Sequence, residues 1–189
     1  SLLEIIINSG IGEAINSLPK GIKGDKGAIA ETIENNVRKS IIRDFFIDPA
    51  YFEKMSKLLA ELIKERSANA ISYEEYLRRI AELAKQVNSG KDEETPTRMD
   101  TKGKRALYNN LSKNEELAIR LDSVIRTKSP ADWRGNKAKE NMIKRCIYDV
   151  LIAENNENGF AGPEDAFEVY KIEHNVEKIF DIIKEQAEY

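Results

Sequence analysis

The stretch that decides the fold class is Ser72–Val87, S-Y-E-E-Y-L-R-R-I-A-E-L-A-K-Q-V. Ser72 and Glu75 match a capping box, in which a hydroxyl and a carboxylate satisfy free N–H groups at the start of a helix. Apolar side chains follow at the spacing that places them on one helical face, namely Tyr76, Leu77, Ile80, Leu83, Ala84 and Val87. The stretch therefore predicts an amphipathic α-helix.

Similar patterns lie upstream of this helix. Asp25 is predicted to cap a helix that runs to about Phe46, because an aspartate oxygen accepts hydrogen bonds from the first turn. Asp48 and Pro49 predict the start of the next helix, since proline at the first helical position forfeits no hydrogen bond. Residues 19–27, between these helices and the chain start, are predicted to form a loop. The apolar positions of the two helices are Ile29, Ile33, Val37 and Ile41, and then Phe52, Met55, Leu59, Leu62 and Ile63.

The sequence after Gly103 also predicts helices. One long helix covers roughly Lys137 to Ala153, and a second is predicted from Pro163 to the C-terminus. An amphipathic segment that precedes them carries Leu117, Leu121, Val124 and Ile125. The apolar positions of the last helix are Val169, Ile172, Val176, Ile179, Phe180 and Ile183.

Composition favours the same fold class. Of the 189 residues, 33% are charged and 7% are aromatic, and five are prolines. Such a composition favours helices, because Glu, Lys, Leu and Ala lose little side-chain entropy on a helix. The predicted fold is all-α, an irregular multi-helix bundle. The length fits one compact unit or two helical lobes.

A polar run, Asn88–Gly103, separates the two groups of helices. It carries almost nothing apolar except Met99, so burial cannot offset the entropy of ordering the run. The run therefore predicts a flexible polar connector. The predicted divisions are an N-terminal helical half at residues 1–89, the connector at 90–103 and a C-terminal helical half at 104–189.

Cysteine usage and hydropathy bear on where the protein resides. The single cysteine excludes an intrachain disulfide framework and a site with several thiolate ligands, and it suits a reducing cytoplasm. The apolar runs are too short for a membrane span, so a cytoplasmic protein without membrane contact is predicted. The chain starts at Ser1 rather than Met, which predicts a fragment of a larger chain. A preceding domain is then expected to cover the apolar side chains of Leu2, Leu3, Ile5, Ile6 and Ile7.

The sequence lacks the usual catalytic patterns. Gly21, Gly24 and Gly27 only loosely imitate a phosphate-binding loop, because the G-x-x-x-x-G-K-[ST] spacing is absent. His174 stands alone, and Cys146 lies on a helical pattern typical of a small buried hydrophobe. We therefore expect no catalytic, cofactor-binding or metal-binding residue in this chain, and neither nuclease nor ATPase activity.

The chain's single tryptophan lies in a basic segment. Residues 126–145 carry seven basic and two acidic side chains, a net charge of +5, whereas residues 149–189 carry a net charge of −8. On the interpretation that this modest charge favours, Trp133 is a wedge between two helices, and Ser129 and Gly135 bound a short helical turn. On the other, the cations contact phosphates and the ring stacks on a base. The candidate interface or DNA-contacting residues are Trp133, Arg134, Asn136, Lys137, Lys139, Lys144 and Arg145.

Three stretches in the second half carry a family resemblance. They are R-A-L-Y-N-N-L at 105–111, L-A-I-R-L-D-S-V-I-R at 117–126 and D-W-R-G-N-K-A-K-E-N-M-I-K at 132–144. In order and spacing they resemble the C-terminal region of the R subunit of type I restriction-modification enzymes. The matching residues include Leu107, Tyr108, Asn110, Leu111, Asp122, Ile125, Asp132, Trp133, Arg134, Gly135, Asn136, Lys139, Glu140 and Lys144.

The resemblance implies a non-catalytic helical module of an ATP-dependent, DNA-translocating endonuclease. ATP and Mg²⁺ are implied for the parent chain and no cofactor for this fragment. The implied partners are the methyltransferase and specificity subunits of the restriction complex and the upstream motor domains of the same chain. Two alternatives stay open. One is a module that contacts double-stranded DNA and supports the translocating duplex, and the other is a free-standing helical adaptor.

Overall fold

A computed structural model of the chain describes residues 1–157 and 166–189, except the side chains of residues 166–170. The predicted helix start at Pro163 and the predicted apolar side chain of Val169 lie outside the described residues. The described backbone contains ten α-helices and no strand, so the all-α prediction is confirmed. None of these helices combines the length and the apolar composition that a membrane span requires.

The chain divides into two units, each with its own hydrophobic core. Unit 1 comprises residues 1–45 and 49–94, and unit 2 comprises residues 46–48 and those from 95 onward. The helices of unit 1 are α1 Leu2–Ser9, α2 Ile11–Asn16, α3 Lys20–Lys23, α4 Lys26–Asp44, α5 Pro49–Ser67 and α6 Tyr73–Ser89. The helices described in unit 2 are α7 Lys102–Asn110, α8 Glu115–Lys128, α9 Lys137–Glu157 and α10 Ala166–Glu185.

The helix starts of unit 1 follow the capping residues in the sequence. Asp25 Oδ1 accepts hydrogen bonds from the N–H groups of Gly27 and Ala28 at 2.7 and 3.2 Å, which fixes the start of α4. Ser72 Oγ accepts from the N–H of Glu75 at 3.1 Å and starts α6. Asp25 and Ser72 are confirmed as caps, but the predicted capping box is only half present, because the Glu75 carboxylate binds Arg78 at 2.6 and 2.9 Å. The prediction of a loop over residues 19–27 is partly wrong, because the short helix α3 occupies its first half.

The core of unit 1 is formed by one face each of α1, α4, α5 and α6. Its fully buried side chains include Ile6, Ile33, Met55, Tyr76 and Ile80. The start of the chain contributes to this core, because Leu3 and Ile6 are buried and Leu2, Ile5 and Ile7 pack partly buried against it. Leu3 and Ile6 are therefore covered by their own unit, and packing of the partly buried Leu2, Ile5 and Ile7 on a preceding domain stays a prediction. They lie against their own unit, a long-range contact that no local pattern indicates.

A polar network crosses the core of unit 1. The buried Glu34 carboxylate accepts from Arg66 Nε at 2.8 Å and from the Tyr76 hydroxyl at 3.0 Å. Burial, followed by the charge of Glu34, raises the pKa of Tyr76 above its ordinary value. The network links α4, α5 and α6 in a defined arrangement.

The boundary between the units falls within the predicted connector. It lies between Glu94 and Thr95, and Met99 is buried in the core of unit 2. On the unit 1 side, Lys54 Nζ pairs with the carboxylates of Asp92 and Glu94, each at 2.9 Å. Residues 90–103 thus contribute ion pairs to unit 1 and a buried side chain to the core of unit 2, although their composition predicts only a connector.

Phe46–Asp48 belong to unit 2, although they lie between two helices of unit 1 in sequence. The carboxylate oxygens of Asp48 accept from Asn109 Nδ2 and Asn110 Nδ2 at 2.8 Å each. The carbonyl of Ile47 accepts from Gln186 Nε2 at 2.7 Å. The sequence predicts the start of α5 at Pro49, which is confirmed, but it does not indicate these contacts.

Candidate interaction site

The turn between α8 and α9 places Trp133 in the core of unit 2. The Trp133 side chain is only 3% exposed. Its ring centroid lies 5.7 Å from that of Phe180 on α10, and the Arg134 guanidinium lies 4.5 Å from the ring centroid. The ring therefore packs between α10 and an arginine, the wedge geometry that the favoured interpretation of the sequence describes.

Residues 129–136 form turns at 131–132 and 134–135 and no helix, and the predicted cap by Ser129 is wrong, because its Oγ has no hydrogen-bond partner among the described residues. Instead, the Ser129 N–H ends α8 by donating to Ile125 O, and Asp132 and Gly135 adopt left-handed φ angles of 51° and 78°. A left-handed φ suits glycine and is tolerated by aspartate, which explains both residue types here. The turn bends the chain twice before α9 begins.

Asn136 and Glu140 close the turn onto α9. Asn136 Oδ1 accepts from the Lys139 N–H at 3.2 Å, so its predicted capping role is confirmed. Glu140 Oε1 accepts from the Gly135 N–H at 2.9 Å and lies 3.6 Å from Lys184 Nζ. Lys139 Nζ reaches back to the Ala131 carbonyl at 2.6 Å. The first turn of α9 is thereby bonded to the loop that precedes it.

Arg134 binds the last residues of the chain, Gln186–Tyr189, which we call the C-terminal segment. Its guanidinium donates to the carbonyls of Lys184 at 3.3 Å, Gln186 at 2.5 Å and Tyr189 at 2.7 Å. These carbonyls lie at and beyond the end of α10, where a helix leaves acceptors free and where a cation is favourable. Arg134 therefore fastens the C-terminal segment to the Trp133 turn.

A second arginine binds the same segment from α8. Arg126 Nε donates to both oxygens of the buried Asp122 at 3.0 and 3.1 Å, and its terminal nitrogen donates to Glu188 at 2.8 Å. The hydrogen bond with Asp122 raises the pKa of Arg126 above its ordinary value. The Tyr189 hydroxyl donates to Asp122 at 2.5 Å, and burial, then this bond, raises the pKa of Tyr189.

Gly103, on α7, also contacts the C-terminal segment. Its N–H donates to the Glu188 carboxylate. A Cβ at this position would lie 2.5 Å from the Tyr189 hydroxyl oxygen and 2.7 Å from Tyr189 Cζ, so a larger residue would displace the side chains of Glu188 and Tyr189. Glycine suits this position because it allows that close approach.

The remaining cations of the basic segment divide into two groups. Lys144 Nζ pairs with Glu177 at 2.9 Å, and Arg145 Nε pairs with Asp149 at 3.1 Å. Lys128 and Lys137 are exposed and make no ion pair with any other residue that the structure describes. Most cations of residues 126–145 are thus engaged by acidic groups or carbonyls of unit 2.

The structure brings the residues of the family resemblance into one unit. Leu107 and Tyr108 are buried in its core, and Leu111 packs partly buried against it. Asn110 donates to Asp48 and to the Ala106 carbonyl. Sequence reasoning missed Gly103, Gln186, Glu188 and Tyr189, which complete the arrangement. No spacing signal could have indicated them, because their partners lie far away in the sequence.

A pocket of about 600 Å³ lies beside the Trp133 turn. Its lining includes Ile125, Ser129, Trp133, Glu188 and Tyr189. Ser129 Oγ and Trp133 Nε1 are buried and have no hydrogen-bond partner among the described residues.

A groove of about 780 Å³ lies between α9 and α10. It is lined by Tyr148, Val176 and the charged side chains around them, and the exposed His174 lies at its side. Cys146 is partly buried on α9. Across residues 1–157 and 171–189, no three His, Cys, Asp or Glu side chains cluster in a way that could hold a metal ion.

Comparison of the chain with known protein families, with characterised proteins and with solved structures finds no match to any of them.

Proposed function

We propose that this chain is a non-catalytic helical module that docks an ATP-driven, DNA-translocating R subunit onto the methyltransferase core of a type I restriction enzyme. The observation that carries the proposal is the engagement of the basic segment within unit 2. Arg126, Arg134, Lys139, Lys144 and Arg145 all bind groups of their own unit. Cations used in this way are poor phosphate ligands, because each DNA contact would break an existing bond.

The family resemblance gives the proposal its partner. The stretches that resemble the R subunit are separated in sequence but lie in one unit, where Asp122 and Arg134 bind the C-terminal segment and Trp133 packs on Phe180. The signature residues then serve to build a rigid docking surface, and they form no active site. ATP and Mg²⁺ belong, on this proposal, to the parent chain's motor domains.

The groove between α9 and α10 is the surface that we assign to the docking contact. Tyr148 and Val176 give it an apolar centre, and Lys144 and Glu177 place charges of both signs at its edge. Protein interfaces commonly combine an apolar, aromatic centre with a polar rim. The exposed Met142, with 56% of its surface accessible, lies on α9, the helix that also carries Tyr148.

Binding of the purified chain to an immobilised methyltransferase–specificity core tests the proposal. We expect saturable binding that changes little with salt, because an apolar interface releases few counterions. Tyr148→Glu should weaken binding to the core at least about tenfold, as expected for loss of an aromatic anchor. Leu58→Glu, at an exposed position of α5, should leave binding unchanged. Failure of the wild-type chain to bind the core at any salt concentration contradicts the docking function.

The runner-up function is a module that contacts double-stranded DNA. Lys128 and Lys137, two exposed cations of residues 126–145 without an ion pair to any described residue, are the observation in its favour. Two lysines neutralise few phosphates, so this reading predicts only weak binding that is lost at moderate salt. A duplex added to the same sensor distinguishes the two functions.

A further inference from the structure

The two walls of the groove between α9 and α10 carry charges of opposite sign. The charged side chains of the α9 wall are the cations Lys144 and Arg145, and those of the α10 wall are the carboxylates Glu173 and Glu177. Because these cations and carboxylates are equal in number, the groove as a whole favours neither an acidic nor a basic segment. A partner that uses these charges has to present both signs, one to each wall.

Two of these four charges can be reached by a partner without breaking a contact between the walls. Lys144 and Glu177 already bind each other across the groove at 2.9 Å. The Arg145 side chain is 75% exposed, and its ion pair with Asp149, one turn along α9, is an exposed pair of the kind that contributes little. Glu173 is exposed and forms no ion pair with another residue that the structure describes. Arg145 and Glu173 are therefore the charges, on opposite walls, that a partner can bind.

The walls of the groove also restrict the backbone conformation of the partner. The residues that line it lie inside α9 and α10, where each backbone N–H bonds to a carbonyl of the same helix. An extended segment would find no backbone partner in such a groove, and buried backbone groups without a partner are costly. A helix satisfies its own backbone and packs its ridges of side chains into the groove between two other helices. The occupant that fits is therefore a helix.

We infer that the groove receives an amphipathic helix of the methyltransferase core whose two flanks carry opposite charges. A carboxylate on one flank binds Arg145 and a cation on the other flank binds Glu173, while an apolar side chain between the flanks contacts Tyr148. Flanking charges of this kind set partner choice and orientation where helices pair. The inference rests on the proposed docking function and adds the chemistry of the partner's surface.

Charge reversal on each wall tests the inference in the binding measurement with the immobilised methyltransferase–specificity core. Arg145→Glu and Glu173→Lys should each weaken binding about three- to tenfold, because each replaces an attraction by a repulsion of similar size. The double variant keeps the net charge of the chain and should still bind more weakly, since the loss comes from local pairing and not from long-range attraction. Lys178→Glu and Asp181→Lys change the charge equally at exposed positions of α10 outside the lining, and they should leave binding unchanged.

The direction of the two effects identifies the charges of the partner. Weaker binding from one reversal and tighter binding from the other overturns the inference in favour of a partner surface of uniform charge. No effect from either reversal, or an equal loss in the two control variants, overturns it in favour of a contact without charge selection. The docking function survives these results if Tyr148→Glu still weakens binding. Failure of the wild-type chain to bind the core contradicts the docking function and the inference together.

Discussion

Unit 1 and unit 2 each contain a buried carboxylate that binds an arginine and a tyrosine hydroxyl. In unit 1, the three groups of Glu34, Arg66 and Tyr76 come from three consecutive helices. In unit 2, Asp122 and Arg126 lie one turn apart on α8, and only Tyr189 comes from elsewhere. The first network joins helices to one another, whereas the second joins one helix to the C-terminal segment.

The two networks also differ in their access to water. The Arg66 side chain is 23% exposed and the Arg126 side chain 39% exposed, although both partner carboxylates are buried. Water can replace lost contacts at Arg126 more readily than at Arg66, which lowers the cost of breaking the network. A carboxylate, an arginine and a tyrosine thus join three helices in unit 1, whereas in unit 2 they hold the C-terminal segment on a more exposed surface.

The largest loss of stability should come from a substitution in the core of unit 2. Trp133→Ala removes a buried ring that packs on Phe180, and it should destabilise unit 2 by about 3–5 kcal/mol. Hydrogen exchange should accelerate in α8 and α9 but not in α4 and α5. Met142→Ala, an exposed position in the same unit, is the control and should change stability by less than about 0.5 kcal/mol. An unchanged denaturation midpoint for Trp133→Ala would argue against the packing role.

Charge removal compares the two networks directly. Glu34→Gln leaves Arg66 without its counter-charge inside unit 1, and it should cost about 2–3 kcal/mol. Asp122→Asn should cost only about 1 kcal/mol, because Arg126 keeps Glu188 and reaches water. Urea denaturation of both variants measures the difference. Equal losses would mean that the two networks are equivalent, contrary to their exposure.

A pair of glycine substitutions distinguishes the contact of Gly103 with the C-terminal segment from the general effect of alanine on helix stability. Gly103→Ala should release the C-terminal segment and destabilise unit 2 by about 1–2 kcal/mol, because a Cβ there has no room beside Tyr189. Gly21→Ala on α3 has open space around it and should be neutral or stabilising by up to about 1 kcal/mol. Thermal denaturation of the pair provides the measurement. A stabilised Gly103→Ala variant would show that the segment is not held against α7.

Alkaline pH should weaken both units to a smaller extent. The pKa values of Tyr76 and Tyr189 are raised in the folded protein, whereas an unfolded tyrosine has a pKa of about 10. Their contribution to stability is therefore complete below about pH 10 and is lost as pH rises further, by roughly 1.4 kcal/mol per pH unit for each group. Tyr189→Phe should remove this pH dependence from unit 2 alone. Denaturation midpoints between pH 9 and 11 that do not differ between Tyr189→Phe and the wild-type chain would contradict the assignment.

Local features of the fold could be predicted from the sequence. The caps at Asp25, Ser72 and Asn136 and the start of α5 at Pro49 depend on residues within one turn of the feature. The apolar stripes likewise identify the core faces of the long helices. The burial of Trp133 could also be predicted, because a large aromatic ring in a chain of polar composition gains much from packing in the core.

The contacts of the candidate site could be predicted only in part. The ion pairs Asp122–Arg126 and Arg145–Asp149 span one helical turn, so their spacing indicates them. The bond from the Gly103 N–H to Glu188 joins residues 85 positions apart, and no local pattern predicts it. The net charge of residues 126–145 therefore overstated their availability to a partner, because Glu177, Glu188 and the carbonyls that Arg134 binds come from α10 and the C-terminal segment.

DNA affinity measured as a function of salt tests whether the basic segment is engaged within unit 2. Fluorescence anisotropy with a labelled duplex, at salt concentrations from 50 to 200 mM, provides the readout. If the cations bind their own unit, the Kd should be weaker than about 100 μM, with a change in log K per log salt no steeper than about −2, as expected for phosphate contacts from Lys128 and Lys137 alone. A micromolar Kd with a slope of about −4 or steeper would mean four or more phosphate contacts, and would contradict the internal role of Arg126, Arg134 and Lys144.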